Sequence, residues 1–192
     1  MSRGIKSLAL FVAFVAIFTL SRHALSHNTT TTTFAAPTTT TSSAALSQTT
    51  CQGSDFTGTF NQGQGAAGTI YGSITVTKRT GNPCVIDGFP LLTLQDKTGA
   101  LLPVSLTQDA TGTPIQFTDA KANAAPSKLN FTVGSSTTFD LAYNDVGNGV
   151  NACPSASTIN VQLKNGDSSI SVTPQYPIQP CSAGHIWVSP FF

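Results

Sequence analysis

The segment Ile159-Asn160-Val161-Gln162-Leu163-Lys164-Asn165-Gly166-Asp167-Ser168-Ser169-Ile170-Ser171-Val172 alternates apolar and polar residues on both sides of Asn165-Gly166-Asp167. Period two puts every second side chain on one face of a strand. Asn-Gly readily takes the positive φ values of a tight reversal. The segment therefore predicts a β-hairpin. The same alternation recurs outward from it, in Ile74 and Val76, in Leu129, Phe131 and Val133, and in Phe139, Leu141 and Tyr143. Asp96-Lys97-Thr98-Gly99 predicts a second reversal, between strands over residues 91–95 and 101–106. Trp187, Val188 and Phe191 predict that the C-terminus packs as a last strand. Strand-like runs every ~8–15 residues, with turn residues between them and no helical pattern, predict an antiparallel β-sandwich, with a barrel as second choice.

Composition bounds the rest. A chain of 192 residues allows one ordinary domain plus appendages. Nine Lys and Arg against eight acids give a net charge of +1, too little positive charge for a nucleic-acid surface. Every acid is Asp, which removes the Glu-based zinc hydrolases. Sixteen Gly and eleven Pro, with many Thr and Ser, fit a turn-rich β protein.

Arg3 and Lys6 precede an apolar run over residues 8–20, the form of a secretory signal. Residues 1–27 are thus expected to be an export helix, either cleaved or kept as an N-terminal membrane anchor. The run is short for a permanent span, which needs roughly 20 apolar residues. Residues 28–50 carry eleven Thr, three Ser and four Ala and no charge. Such a stretch cannot bury a core and predicts a disordered spacer, bare or carrying O-linked sugars. Asn28-Thr29-Thr30 and Asn130-Phe131-Thr132 fit the N-glycosylation pattern, relevant in a eukaryotic host.

The expected folded domain, residues 51–192, holds Cys51, Cys84, Cys153 and Cys181 and carries six positive against eight negative charges. Four cysteines in an exported chain read most simply as two disulfides. Three pairings are possible, and Cys51 with Cys84 and Cys153 with Cys181 closes the shortest loops. Zinc is disfavoured, because no two cysteines have ligand spacing and His185 is the domain's one histidine.

Cys51, Asn82-Pro83-Cys84, Gly88-Phe89-Pro90, Cys153, Cys181 and Val188-Ser189-Pro190-Phe191 form a framework across nearly all of this region. It resembles a domain-of-unknown-function family frequent in actinobacterial exported proteins and lipoproteins. Val133-Gly134-Ser135 stands where that family has a Pro-Gly turn, and the lipid-attachment Cys of many relatives is missing. The resemblance implies an immunoglobulin-like β domain in the cell envelope and brings no catalytic residues.

Four stretches invite chemistry. Gly63-Gln64-Gly65-Ala66-Ala67-Gly68 matches the dinucleotide fingerprint, but a strand pattern follows where a helix must receive the pyrophosphate. It is expected to be a flexible loop entering a strand. Residues 144–151 gather oxygen-bearing side chains, yet Asp145 alone is charged, so a turn is expected in preference to a calcium site. His185 lacks a nucleophile elbow or a carboxylate pair and reads as an exposed or hydrogen-bonded strand residue. Tyr71, Phe89, Tyr143, Tyr176 and Trp187 are candidates for a sugar- or peptide-binding face, with core and turn packing as the alternative. No cofactor, metal or catalytic residue is expected, and nucleic acid is not an expected partner. The expected partner is an envelope component, protein or glycan, with membrane contact solely through the N-terminal segment if it stays uncleaved. The function expected is a non-catalytic binding or structural module. The alternative is a secreted hydrolase with an Asp/Ser-based site.

Overall fold

The computed structural model of the chain describes residues 49–108, 115–147 and 153–192. The export segment, the Asn28 acceptor site and the spacer up to residue 48 lie outside the described residues, as do residues 148–151 of the oxygen-rich stretch. Along the chain come β1 (Phe56–Ala66), β2 (Thr69–Lys78), β3 (Cys84–Ile86), β4 (Leu91–Gln95), β5 (Leu101–Leu102) and β6 (Ser105–Gln108). They are followed by β7 (Leu129–Phe131), β8 (Ser136–Asn144), β9 (Thr158–Gln162), β10 (Ile170–Val172) and β11 (His185–Val188).

Among the described residues these strands make a five-stranded sheet in the order β1-β2-β8-β11-β6 and a four-stranded sheet in the order β10-β9-β4-β5. A two-stranded β3-β7 ribbon completes the set. Alternation sets which side chains meet. Ile74, Val76, Phe139, Leu141 and Ile186 of the larger sheet share one buried cluster with Leu92, Leu94, Ile159, Val161 and Val172 of the smaller. Each such side chain contributes roughly 1.5–3 kcal/mol by leaving water. Phe191 closes the cluster with its ring centre 5.4 Å from that of Phe139, edge to face. The result is a two-sheet, immunoglobulin-like sandwich.

The hairpin read from residues 159–172 is present, with Ile170 opposite Val161 and Val172 opposite Ile159. Its reversal is longer than a two-residue turn. Gly166 takes a positive φ of 77°, whereas Asn165 does not, and the Asp167 N–H donates to the Lys164 carbonyl at 3.3 Å. The extra residues have a job. Asp167 is buried and accepts the Gly53 N–H at 2.8 Å, while Ser168 Oγ accepts the Ser54 N–H at 2.8 Å. The reversal thereby clasps the chain just after Cys51.

Two expectations need correction. The strand expected over residues 101–106 is broken at Pro103, which has no N–H to give a ladder. The chain leaves the smaller sheet after Leu102 and enters the larger one at Ser105. There β6 pairs parallel to β11, the one departure from antiparallel pairing among the strand pairs of the described residues. Val133 is not in a strand but exposed in the turn after β7, where the Gly134 N–H donates to the Lys78 carbonyl and Gly134 sits at φ 91°.

Disulfides join Cys51 to Cys84 and Cys153 to Cys181, with Cα atoms 4.9 and 4.2 Å apart. The first is flanked by backbone bonds from the Cys51 N–H to the Val85 carbonyl and from the Val85 N–H to the Thr49 carbonyl, both 2.9 Å. Ordered pairing thus reaches back to Thr49. Among the described residues no helix is long and apolar enough to cross a membrane.

Candidate ligand-binding site

The outer face of the five-stranded sheet carries the side chains that alternation turns away from the core. Register places Asn61 of β1 opposite Ser73 of β2, and Ser73 opposite Asp140 of β8. One row therefore presents an amide, a hydroxyl and a carboxyl side by side. In the next row Tyr71 lies opposite Ala142 and Ala142 opposite Trp187. Ala142 is small because Phe117 and Ala122 pack on it, forming a second buried cluster against which the partly buried Tyr71 and Trp187 lie.

Asn123 holds that covering segment in shape. Its Oδ1 accepts the Phe117 N–H at 2.9 Å, and its Nδ2 donates to the Phe117 carbonyl at 2.7 Å. Asp119 Oδ1 accepts the Lys121 N–H at 2.8 Å, capping the short 3-10 turn over Ala120–Asn123.

Between the covering segment and the β1–β2 hairpin lies a hollow of 230 Å³, lined in part by Asn61, Tyr71, Ser73, Thr118 and Asp140. On the other side of β1 a hollow of 500 Å³ is lined by Phe60, Gln175 and Tyr176 and shares Asn61, Gln62 and Gly63 with the first. The Asp140 N–H donates to Ser189 Oγ at 2.8 Å, but among the described residues no group hydrogen-bonds its carboxyl. Half-buried, that carboxyl is pushed up to about 6 by desolvation and, second, by the nearby charge of Asp119. It changes charge close to neutrality.

The residues singled out from sequence fare unevenly. Cys51, Cys84, Cys153 and Cys181 are brought together as the two expected pairs. The five aromatics do not form one face. Tyr143 points into the core, Trp187 stacks on His185 with ring centres 4.2 Å apart, and Tyr71 and Tyr176 lie in the two hollows. His185 Nε2 lies 2.9 Å from Thr107 Oγ1, a hydrogen-bonded strand residue. Gly63 and Gly65 are not in a loop: they belong to β1, with a register shift between Gln62 and Gly65, and the hairpin turns at Ala67 and Gly68. No helix follows to receive a pyrophosphate. Asn144 Oδ1 is taken by the Thr69 hydroxyl at 3.0 Å, and the Asp145 N–H by the Gly68 carbonyl at 3.1 Å. Among the described residues no three His, Cys, Asp or Glu converge as metal ligands.

Asn61, Ser73 and Asp140 were missed in the sequence reading. The signal was there in Phe139-Asp140-Leu141-Ala142-Tyr143, where alternation puts a carboxyl and a small residue together on the face away from the core. A small residue there marks a place where something else packs.

A disulfide-bonded β-sandwich with polar hollows along one edge strand is the class of domain that fold and site define. The chain belongs to DUF4232, a family described as a domain of unknown function, which matches residues 51–191. No curated protein and no solved structure matches it.

Proposed function

We propose that this chain is an exported, non-catalytic β-sandwich module of the cell envelope or its surroundings, which holds an envelope component through the hollows beside Asn61 and Gln62. The observation that carries the reading is the Asp140 carboxyl, which lines a hollow without a hydrogen-bond partner among the described residues. No protein group among the described residues competes for its oxygens, which open onto the hollow, so a ligand hydroxyl or amide can donate to them. The apolar run after Arg3 and Lys6 supports export, and two disulfides suit an oxidising compartment. The Thr-rich spacer would hold the domain away from the surface if the first segment stays as an anchor. Retention of the full chain by washed envelope material tests this. Retention should fall in Asn61→Ala and Tyr176→Ala, and unchanged retention in both would sink the reading.

One observation favours a second reading, a hydrolase with an Asp/Ser-based site. Asp140 releases its proton near pH 6 and stands directly opposite Ser73, which suits a general acid or base. Turnover of ester, amide or glycoside substrates that disappears in Asp140→Asn would establish it.

A further inference from the structure

We infer that the two hollows flanking Asn61 and Gln62 bind a neutral carbohydrate of more than one ring; the inference rests on the binding-module reading and names its ligand class. Charge excludes anions first. The lining residues include no Lys, Arg or His and one carboxyl, Asp140, so a phosphate or a uronic acid would meet repulsion with nothing to offset it.

The remaining groups match sugar hydroxyls. Each hydroxyl both donates and accepts, and the amides of Asn61, Gln62 and Gln175 do the same. The Asp140 carboxyl, unpartnered among the described residues, takes hydroxyl hydrogens in charge-assisted bonds. Two tyrosines supply apolar faces with polar tips, Tyr71 in one hollow and Tyr176, 64% exposed, in the other. A pyranose ring offers such a face its C–H groups while its hydroxyls point to the rim.

Size and strand geometry favour a glycan over a peptide. The larger hollow, 500 Å³, falls within the roughly 300–1,000 Å³ of small-molecule sites, and the smaller continues it across three shared residues. A peptide would recognise this edge by adding a strand to β1. The register shift between Gln62 and Gly65 interrupts the regular edge that an added strand needs.

The test is calorimetry and amide-shift mapping on the exported protein. The probes are a panel of neutral oligosaccharides built from gluco, manno, galacto, arabino and N-acetylglucosamine units. An oligogalacturonate and a lysine-rich peptide serve as comparators. We expect at least one neutral oligosaccharide to saturate at about 1 mM or below, with shifts confined to residues 60–63, 71–73, 140 and 175–176. Asp140→Asn should weaken it about ten-fold or more, and Tyr176→Ala should weaken it while leaving the melting temperature within a degree or two, since that side chain is exposed. Absence of binding across the neutral panel overturns the inference, as does preference for the peptide or the uronate, or shifts that map elsewhere. Envelope retention lost in Asn61→Ala with no neutral sugar bound would sink the ligand class alone. Retention that survives both hollow variants would sink the module reading as well.

Discussion

The ammonium of Lys78 is fully buried, 3.2 Å from Asp55 Oδ2 and 5.2 Å from the centre of the Phe56 ring. Asp55 is 27% exposed, its Oδ1 accepts the Thr80 hydroxyl at 3.2 Å, and its backbone carbonyl accepts the Arg79 N–H at 2.7 Å. Gly81, at φ 81°, leaves room for this carboxylate, which a Cβ there would strike. The pair ties the start of β1 to the end of β2 and so fixes the base of the hairpin whose far half borders both hollows.

The two partners should respond unequally to removal. Asp55→Ala leaves a buried ammonium without its counter-charge and is expected to cost about 3–5 kcal/mol. Lys78→Met leaves a carboxylate that still reaches water and Thr80, and fills the space with an apolar chain, so it should cost about 1 kcal/mol or less. Urea denaturation of both variants checks the order. Equal losses would show that packing of the lysine stem matters more than the charge.

The oxidised protein should weigh about four hydrogens less before reduction than after it, and digestion should release Cys51–Cys84 and Cys153–Cys181 peptides. Loops of 33 and 28 residues imply that each bridge contributes about 3.6 kcal/mol by restricting the unfolded chain. Four titratable thiols in native material would contradict the pairing.

Asp140 makes stability depend on pH in an unusual direction for a carboxyl. Its folded value, about 6, lies above the ordinary 3.8, so between those two the folded state holds the proton that the unfolded state has lost. Stability from this group is complete below about pH 4 and is lost as pH rises through about 6. Asp140→Asn should abolish that fall and stabilise the protein at pH 7. For a half-exposed group screened by solvent, the gain is on the order of 1 kcal/mol. Parallel melting curves for wild type and variant from pH 4 to 8 would decide it; curves that stay parallel would refute the assignment.

The β1–β2 hairpin reverses with both Ala67 and Gly68 at positive φ, 51° and 82°. Such a turn prefers Asn-Gly, so Ala67→Asn should raise stability by about 0.5–1 kcal/mol. Gly65→Ala should be close to neutral, because Gly65 has no positive φ and its added methyl meets the flexible end of Ile70 at 2.5 Å. Thermal melts of the two variants check both. Saturable binding of NAD or FAD to the wild type, lost in Gly65→Ala, would overturn the hairpin reading of this glycine-rich stretch.

Local chemistry was legible in the residues alone. Alternation in Ile159-Asn160-Val161 and Phe139-Asp140-Leu141 declares which side chains face a core, because a strand's two faces are set by covalent geometry. The Asp96 turn was equally plain, since its carboxylate bonds the Thr98 and Ala100 N–H groups within five residues. Spacing was also enough to choose the cysteine pairs. What the sequence did not determine is everything that depends on distant strands meeting. Pro103 announces a break, but not that the chain then changes sheets and runs parallel to β11, because no residue in β6 encodes its neighbour. The site is of this kind: Asn61, Ser73 and Asp140 lie far apart in the chain and become one row through the β1–β2 and β2–β8 registers. The Asp140 proton is likewise a tertiary matter, since its affinity is set by burial and by a second carboxylate carried on another segment.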